Sequence, residues 1–551
     1  MKIKDFFTTK SVRLKQAHPI FFCLLTALSC EFLFQHFIPV INLQLTFGRI
    51  IIVFLSLYII QEFSNLSMPR FRPQFKDLML VHLLLIFSVC ILWFGRIFGL
   101  ALISYLQQFA TFKDLTIQTL HFAIPFTCGA MLVSAVKGLN YGFVFSICFA
   151  IIVGFYLPED FLVIPFVFVT SLIAALSLEN FRSRAAYLKV GLKVGLIAIP
   201  FSLVSLIIQD NLNFIDISFR IVFALLGGFF AVILAASITP ILESIGGYVT
   251  DLRLIEMSTL DHPLLKMLSV QAPGTWNHSM VVGMMVESAA DSINANPILA
   301  RVGAYFHDIG KTKKPMYFVE NQMGEQNRHN KLSPSMSALI IKSHVKDGIE
   351  MAEEHRLPRV IIDLIEQHHG TSLIEYFYNK ACRESENAEE SVEIDESLYS
   401  YNGPKPQTRE AGILMLADVT ESSARVLSDV SPDRIQMHVQ KIINRVFVSG
   451  QLEESDLTLR DLHKIAKSFT RVLNSIYHQR IAYDEPVEKN TIKSLPIKSK
   501  SKEEYEKKAT EQTKIMEHTD LNRTQENQDQ QKENQEPSPN NLKRLGIEDF
   551  S

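Results

Sequence analysis

Through its first 245 positions the chain repeats stretches of about 17 to 25 mostly uncharged residues, each long enough to cross a hydrocarbon core as a helix. Eight crossings are predicted, at 19–38, 46–62, 78–96, 119–136, 141–157, 161–178, 189–208 and 220–242. The first is not read as a cleavable signal peptide, because no small-residue cleavage site closes it and further apolar segments follow at once. From Thr275 onward the apolar positions recur with a helical period and no alternating strand pattern appears. Helices are predicted over 277–294, 298–309, 334–343, 346–355, 359–369, 409–427, 432–448 and 457–480. The expected fold class is therefore all-α: a polytopic helical membrane domain followed by an all-α soluble domain.

The same pattern sets the boundaries. Residues 1–18 form an N-terminal segment, 19–243 the membrane domain, and 244–274 a connector. That connector is expected to be partly helical, with breaks at Gly246-Gly247 and His262-Pro263 and a turn at Pro273-Gly274. Residues 275–485 form the soluble domain. Within it, 380–400 is acidic and poor in large apolar groups, which reads as a mobile surface loop. The tail, 486–551, is rich in Lys, Glu, Gln, Asn and Ser and lacks the apolar content to fold alone, so it is read as disordered.

Charge orients the crossings. Lys2, Lys4, Lys10, Arg13 and Lys15 precede the first segment, Arg70, Arg72 and Lys76 follow the second, Lys137 the fourth, and Arg182, Arg184 and Lys189 the sixth. The alternate links carry little positive charge. By the positive-inside rule both termini and the soluble domain are cytoplasmic, and the protein sits in the cell membrane with the lipid bilayer as partner. Arg96 within the long apolar stretch 78–105 and the short turns at 137–140 and 158–160 leave a count of seven open. Glu31, inside the first crossing, is read as snorkelling or as a helix–helix hydrogen bond.

Composition narrows the partners. A net charge of −3 over 551 residues supplies no basic field for duplex nucleic acid, so no polynucleotide partner is expected. Cys23, Cys30, Cys90, Cys128 and Cys148 lie in apolar segments and only Cys382 in the polar half, which excludes a secreted disulfide framework and a CxxC zinc pattern.

The soluble half carries the chemistry. In Ala304-Tyr-Phe-His307-Asp308-Ile-Gly310-Lys311, an adjacent His-Asp pair offers a neutral nitrogen ligand and a carboxylate able to bridge two cations. His278, His344, His368, His369 and Asp418 complete a metal-ligand set. His368 and His369 close a helix that stops at Gly370, and point about 100° apart, so both line one pocket without serving one ion identically. Asp418 lies in an apolar helix, where a metal ion would offset the cost of a buried carboxylate. Gly310 is expected to let the chain turn tightly and leave Lys311 free to approach an anion. These groups point to metal-assisted hydrolysis of a phosphate ester. His262, His329, His355 and His478 are read as ordinary histidines.

The segment 275–425 resembles the HD superfamily of metal-dependent phosphohydrolases. The phrases Ala272-Pro-Gly-Thr, Asn296-Pro-x-Leu-Ala-Arg-Val-Gly-Ala-Tyr, Lys331-Leu-Ser-Pro-Ser, Glu366-Gln-His-His-Gly and Gly403-Pro-Lys-Pro-Gln-Thr-Arg-Glu resemble one branch, the seven-transmembrane HD family, whose PgpH-type members hydrolyse cyclic di-AMP. The resemblance implies that His278, His307, Asp308 and Asp418 hold one divalent ion and that Asp308, as a bridge, holds the other with His344, His368 and His369. It implies manganese or iron and a cyclic dinucleotide substrate. The mechanism read from the site gives catalytic roles to His307, Asp308 and Lys311, the last either neutralising a nonbridging phosphate oxygen or solvating the helix end. The chain departs from the family at 39–45, where members usually carry a large extracytoplasmic domain. Tyr305, Tyr317, Phe318 and Tyr376 are candidates to stack on the bases. A different nucleotide substrate (cyclic di-GMP or a guanosine alarmone), a non-catalytic nucleotide receptor, and a homodimer are left open.

Overall fold

A computed structural model describes residues 2–35, 43–68, 71, 73–109, 116–157, 161–178, 184–208, 214–322, 327–387 and 393–477. The tail assigned to 486–551 and part of the 39–45 link lie outside the described residues.

The apolar half forms helices α1 (Lys2–Phe34), α2 (Leu43–Ser67), α3 (Phe75–Leu106), α4 (Ile117–His121), α5 (Cys128–Lys137), α6 (Leu139–Tyr156), α7 (Val163–Leu178), α8 (Arg184–Ile208) and α9 (Phe214–Gly246). Among the described residues five of these segments are long and apolar enough to cross a membrane, and those in α1, α5 and α7 are shorter. The fourth expected crossing is two helices, because Pro125 lacks the N–H that a continuous helix needs. Arg96 falls inside the unbroken α3.

Small residues let these helices approach closely. A Cβ on Gly228 would strike the Gly191 carbonyl, and one on Gly227 the Phe122 carbonyl, so α9 lies directly against α8 and the α4 end. Glu31 makes a helix–helix contact: it accepts hydrogen bonds from Arg49 Nε at 3.0 Å and Tyr156 Oη at 2.9 Å, joining α1, α2 and α6. Such a pairing offsets the cost of an ionised group among apolar helices.

The polar half is helical, with α10 (Asp251–Met257), α11 (Pro263–Gln271), α12 (Pro273–Ser292), α13 (Pro297–Phe306), α14 (Pro334–Glu354), α15 (Arg359–Gln367), α16 (Glu375–Glu386), α17 (Arg409–Ala424), α18 (Pro432–Val448) and α19 (Leu459–Ile476). The described residues contain no strand, and their one isolated bridge joins Leu373 to Ser400. Several starts follow directly from the sequence. Asn296, Ser333, Thr408 and Thr458 each accept a hydrogen bond from a first-turn N–H. Prolines 273, 297, 334 and 432 take early positions, where a missing N–H is no loss. Pro273 thus opens α12 instead of marking a turn.

Three further expectations change. α10 and α11, in the expected connector, place Leu254, Leu264, Leu265 and Leu268 in the core with Phe306, Ile365, Leu416 and Phe469. The two helices expected over 334–355 are one, since Ser343, His344 and Val345 contain no breaker. The acidic stretch begins as α16, because Phe377 and Ala381 pack with Ala338 and Tyr399.

Candidate metal centre

Four helices converge on the His-Asp pair. α13 ends at Phe306, so His307 sits at its C-terminal cap, and Asp308 opens a 3-10 turn over Ile309–Lys313. α12 supplies His278, α14 His344 and α17 Asp418. The end of α15 supplies His368 and His369, and Gly370 then takes φ +52°, the left-handed geometry expected of a residue that stops a helix. Gly310 acts differently from expectation. Its φ is not positive, and a Cβ there would strike the His344 carbonyl and approach the Gly348 nitrogen. Its glycine is needed for the close approach of α14, which brings His344 to the site.

The imidazoles are fixed by their outer nitrogens. Nδ1 of His307 donates to the Ala304 carbonyl at 2.7 Å, Nδ1 of His344 to the Ile341 carbonyl at 2.5 Å, and Nδ1 of His368 to the Ile365 carbonyl at 2.7 Å. A carbonyl only accepts, so each of these rings carries its proton on Nδ1 and turns a lone pair on Nε2 inward. His278 is held by a carboxylate instead, with Nδ1 2.5 Å from Glu421 Oε2. The Nε2 atoms of His278 and His307 have no hydrogen-bond partner, and neither does Oδ1 of Asp308. Buried polar atoms left unpaired at one point fit a cation.

Asp308 divides its oxygens between two groups of ligands. Oδ2 lies 3.2 Å from His307 Nε2 and 3.8 Å from His278 Nε2, while Oδ1 lies 3.4 Å from His344 Nε2 and 3.8 Å from His368 Nε2. Asp418 also reaches two ways, with Oδ1 3.1 Å from His278 Nε2 and Oδ2 3.5 Å from His369 Nδ1. Three overlapping trios each place their ligand atoms within 4.8 Å of one another: His278, His307 and Asp418; His344, His368 and His369; His307, Asp308 and His368. All seven ligands expected from the sequence therefore meet in one place.

The electrostatics separate imidazole from carboxylate. Burial would raise the Asp308 carboxyl, but neighbouring His307 and the Lys311 ammonium hold it well below the usual carboxylate range. Burial acts in the same direction on Asp418, and the close approach of His278, with His369 and His307 nearby, holds it below that range. Burial lowers His344, lowers His368 strongly, and takes His369 down to about 3, so these rings stay neutral. His278 is opposite: burial acts to lower it, and Asp418 and Glu421 raise it to about 9. Lys311 is not free. It lies 2.7 Å from Asp308 Oδ2 and 2.9 Å from Glu320 Oε1, and these charges raise it above an ordinary lysine although burial acts to lower it.

The aromatic candidates divide. Phe318 stands edge-on to His344 at 5.8 Å, with Lys311 Nζ 5.0 Å above its ring. Tyr305 packs on Trp276 at 5.8 Å, Tyr317 stands edge-on to His329 at 5.4 Å, and Tyr376 is 71% exposed beside Phe377. Among these four candidates only Phe318 has a ring contact with one of the seven expected ligands. Sequence reading also passed over Glu421, Glu320 and Tyr401, whose ring stacks on His369 at 4.3 Å. Glu421 was legible in principle, three residues after Asp418 on the same helix face. Glu320 lies in a single 3-10 turn over Val319–Asn321 and Tyr401 in an irregular segment, where no period announces them.

An all-α set of apolar helices is thus joined to a helical domain that buries this His-Asp cluster, the arrangement of an HD-type domain. Residues 43–250 match the family described as the 7TM receptor with intracellular HD hydrolase, and residues 275–423 match the HD domain. In these two matches the chain has the domain order of the seven-transmembrane HD family and is similar to it over 43–423. It is similar to the cyclic-di-AMP phosphodiesterase PgpH of Bacillus subtilis, 34% identical over 395 residues, which cover 70% of this chain and 55% of that protein. It is also similar to PgpH of Listeria monocytogenes, 40% identical over 322 residues, covering 58% and 44% respectively. The chain thus spans about half the length of these curated relatives. A crystal structure of the L. monocytogenes PgpH HD domain in complex with cyclic di-AMP aligns at 43% identity and a TM-score of 0.37, covering 39% of this chain and 98% of that one.

Proposed function

We propose that this protein is a membrane-anchored phosphodiesterase that opens cyclic di-AMP to linear pApA with two divalent ions, manganese or iron. The substrate is taken from the PgpH relatives, which carry that activity in their names. The observation that carries the catalytic reading is the division of Asp308, one oxygen toward His278 and His307 and the other toward His344 and His368. On this reading His278, His307, Asp308 and Asp418 hold one ion, and Asp308, His344, His368 and His369 the other. Imidazole and carboxylate ligands without thiolate suit both metals. Bound there, such ions would supply Lewis-acid polarisation of a phosphodiester and would lower the pKa of a bound water.

The remaining work belongs to the chain. The three backbone carbonyls and Glu421 keep the imidazoles turned inward. Lys311, held by Glu320, puts a fixed positive charge beside Asp308, where the phosphoryl oxygens gain negative charge as the P–O3′ bond breaks. The oxygen of water joins phosphorus and the departing 3′-oxygen takes up a proton. Tyr401 flanks the ligands through His369 and is proposed to receive an adenine face, while buried Phe318 backs His344 and Lys311. The soluble domain and both termini are placed in the cytoplasm, on the side of the Lys and Arg links. Turnover of a cyclic dinucleotide panel by the metal-loaded full chain tests this reading.

A further inference from the structure

The ligand-bearing helices α13 and α17 begin at one small polar junction against the last membrane helix. Glu243, in the final turns of α9, accepts a hydrogen bond from the Thr250 hydroxyl, and Thr250 caps α10 by accepting from Arg253 N at 3.3 Å. Between them Gly247 takes φ +61°, and Tyr248 Oη donates to the Lys76 carbonyl at 3.1 Å, fastening the link to the start of α3. Asp251 follows Thr250, and its Oδ1 accepts from Asn296 Nδ2 at 3.0 Å. Asn296 then makes two further sets of bonds. Its Oδ1 caps α13 by accepting from Ile298 N and Leu299 N, both at 3.0 Å, and its backbone N donates to Glu410 Oε1, at 2.7 Å, in the first turn of α17.

Both helices that start here lead to proposed ligands. α13, capped by Asn296, is followed at once by His307 and Asp308, and α17, with Glu410 in its first turn, carries Asp418 about two turns on and Glu421, which holds His278. A short helix moves as a rigid rod, so a shift at its first turn is delivered to its far end. The junction also borders open space. A cavity of about 510 Å³, lined among others by Lys137, Asn140, Tyr187, Thr250, Asp251 and Asn296, lies between the α5–α6 turn and the start of α13. Polar bonds therefore hold this side of the junction, where apolar packing would otherwise fix it.

We infer that Asn296 is a positioning residue for the metal centre, coupling the end of α9, through Glu243, Thr250 and Asp251, to the spacing of the α13 and α17 ligands. The inference rests on the hydrolase reading for its kinetic consequence, and on the hydrogen bonds alone for its structural one. Movement of the membrane helices would then change turnover without any membrane residue entering the site.

The test uses the full chain in detergent micelles, loaded with manganese, with cyclic di-AMP and the generic diester bis(p-nitrophenyl) phosphate as substrates. Glu243→Ala and Asp251→Ala each break the link on the membrane side and leave the Asn296 cap on α13 intact. Each is expected to lower kcat at least about fivefold on both substrates with KM within about twofold, and the double variant should be no worse than either alone. Asp251→Asn keeps an acceptor oxygen and should restore wild-type turnover. Amide hydrogen exchange over 303–310 and 412–422 should rise in both Ala variants and not in Asp251→Asn. Unchanged kcat and exchange in the two Ala variants, or strictly additive losses, would overturn the coupling. If the wild-type chain hydrolyses neither diester, the hydrolase reading falls instead, and the exchange comparison alone decides the junction.

Discussion

The Nε2 atoms of His344 and His368 stand 3.3 Å apart, and neither ring has a proton to give the other. Each ring's proton lies on Nδ1, donated to the Ile341 or Ile365 carbonyl, so two lone pairs face one another beside Asp308 Oδ1. A cation between them converts that repulsion into ligation. Metal loading is therefore expected to raise the unfolding temperature of the soluble domain, by about 2.7 kcal/mol of stability when free metal reaches a hundred times its Kd. His307→Ala with Asp308→Ala should abolish both metal content and that gain while circular dichroism keeps its helical signal. Full metal content in the double variant would contradict the assignment.

Glu421 orients His278 from behind and is itself held by Arg425 Nε at 2.6 Å. Partners of this kind typically cost about 10- to 100-fold in metal affinity or activity when removed. Glu421→Ala should fall in that range, and Glu421→Gln, which retains an acceptor oxygen for the His278 proton, should lose less. Equal losses in the two variants, measured by metal titration, would mean that charge and not orientation is what Glu421 supplies.

Gly310 has a backbone neighbour where a side chain would begin, since a Cβ there meets the His344 carbonyl. The backbone of α14 has no flexible end to yield. Gly310→Ala is expected to cost about 1 to 3 kcal/mol by overpacking, read from thermal unfolding, and to lower metal affinity as His344 is pushed away. A stable variant that binds metal normally would show that α14 can shift without disturbing the centre.

Much of the site was legible because ligation chemistry leaves a pattern in sequence: His307-Asp308, His368-His369-Gly370 and Asp418 each carry a helix-end or apolar-helix context. The aromatics did not share that advantage. Tyr305 is two residues from His307 and packs on Trp276 against the core of the polar half, whereas Tyr401 reaches His369 from an irregular segment far along the chain. The fold shows the same division. Apolar and capped helices followed from hydropathy and from Asn, Ser, Thr and Pro at helix starts, while α16 was hidden by its acidic surface and is held by Phe377 and Ala381, two positions too few to make a period.

The orientation drawn from Lys and Arg can be read by labelling. With the six native cysteines replaced, Arg70→Cys should stay protected from a membrane-impermeant maleimide in intact cells and react once the cells are opened. Labelling from outside would invert the arrangement and remove the soluble domain from the cytoplasm.

The most direct measurement is hydrolysis of cyclic dinucleotides by the full chain loaded with manganese or iron. Adenine presents N6 where guanine presents O6, and adds no N2, so each well-placed contact to the base edge discriminates by about 1 to 3 kcal/mol. The expected result is a kcat/KM for cyclic di-AMP at least about tenfold above that for cyclic di-GMP, about 1.4 kcal/mol of barrier, with pApA as the first product and no turnover after chelation. Equal turnover of the two, preference for a guanosine alarmone, or full activity without metal would contradict it.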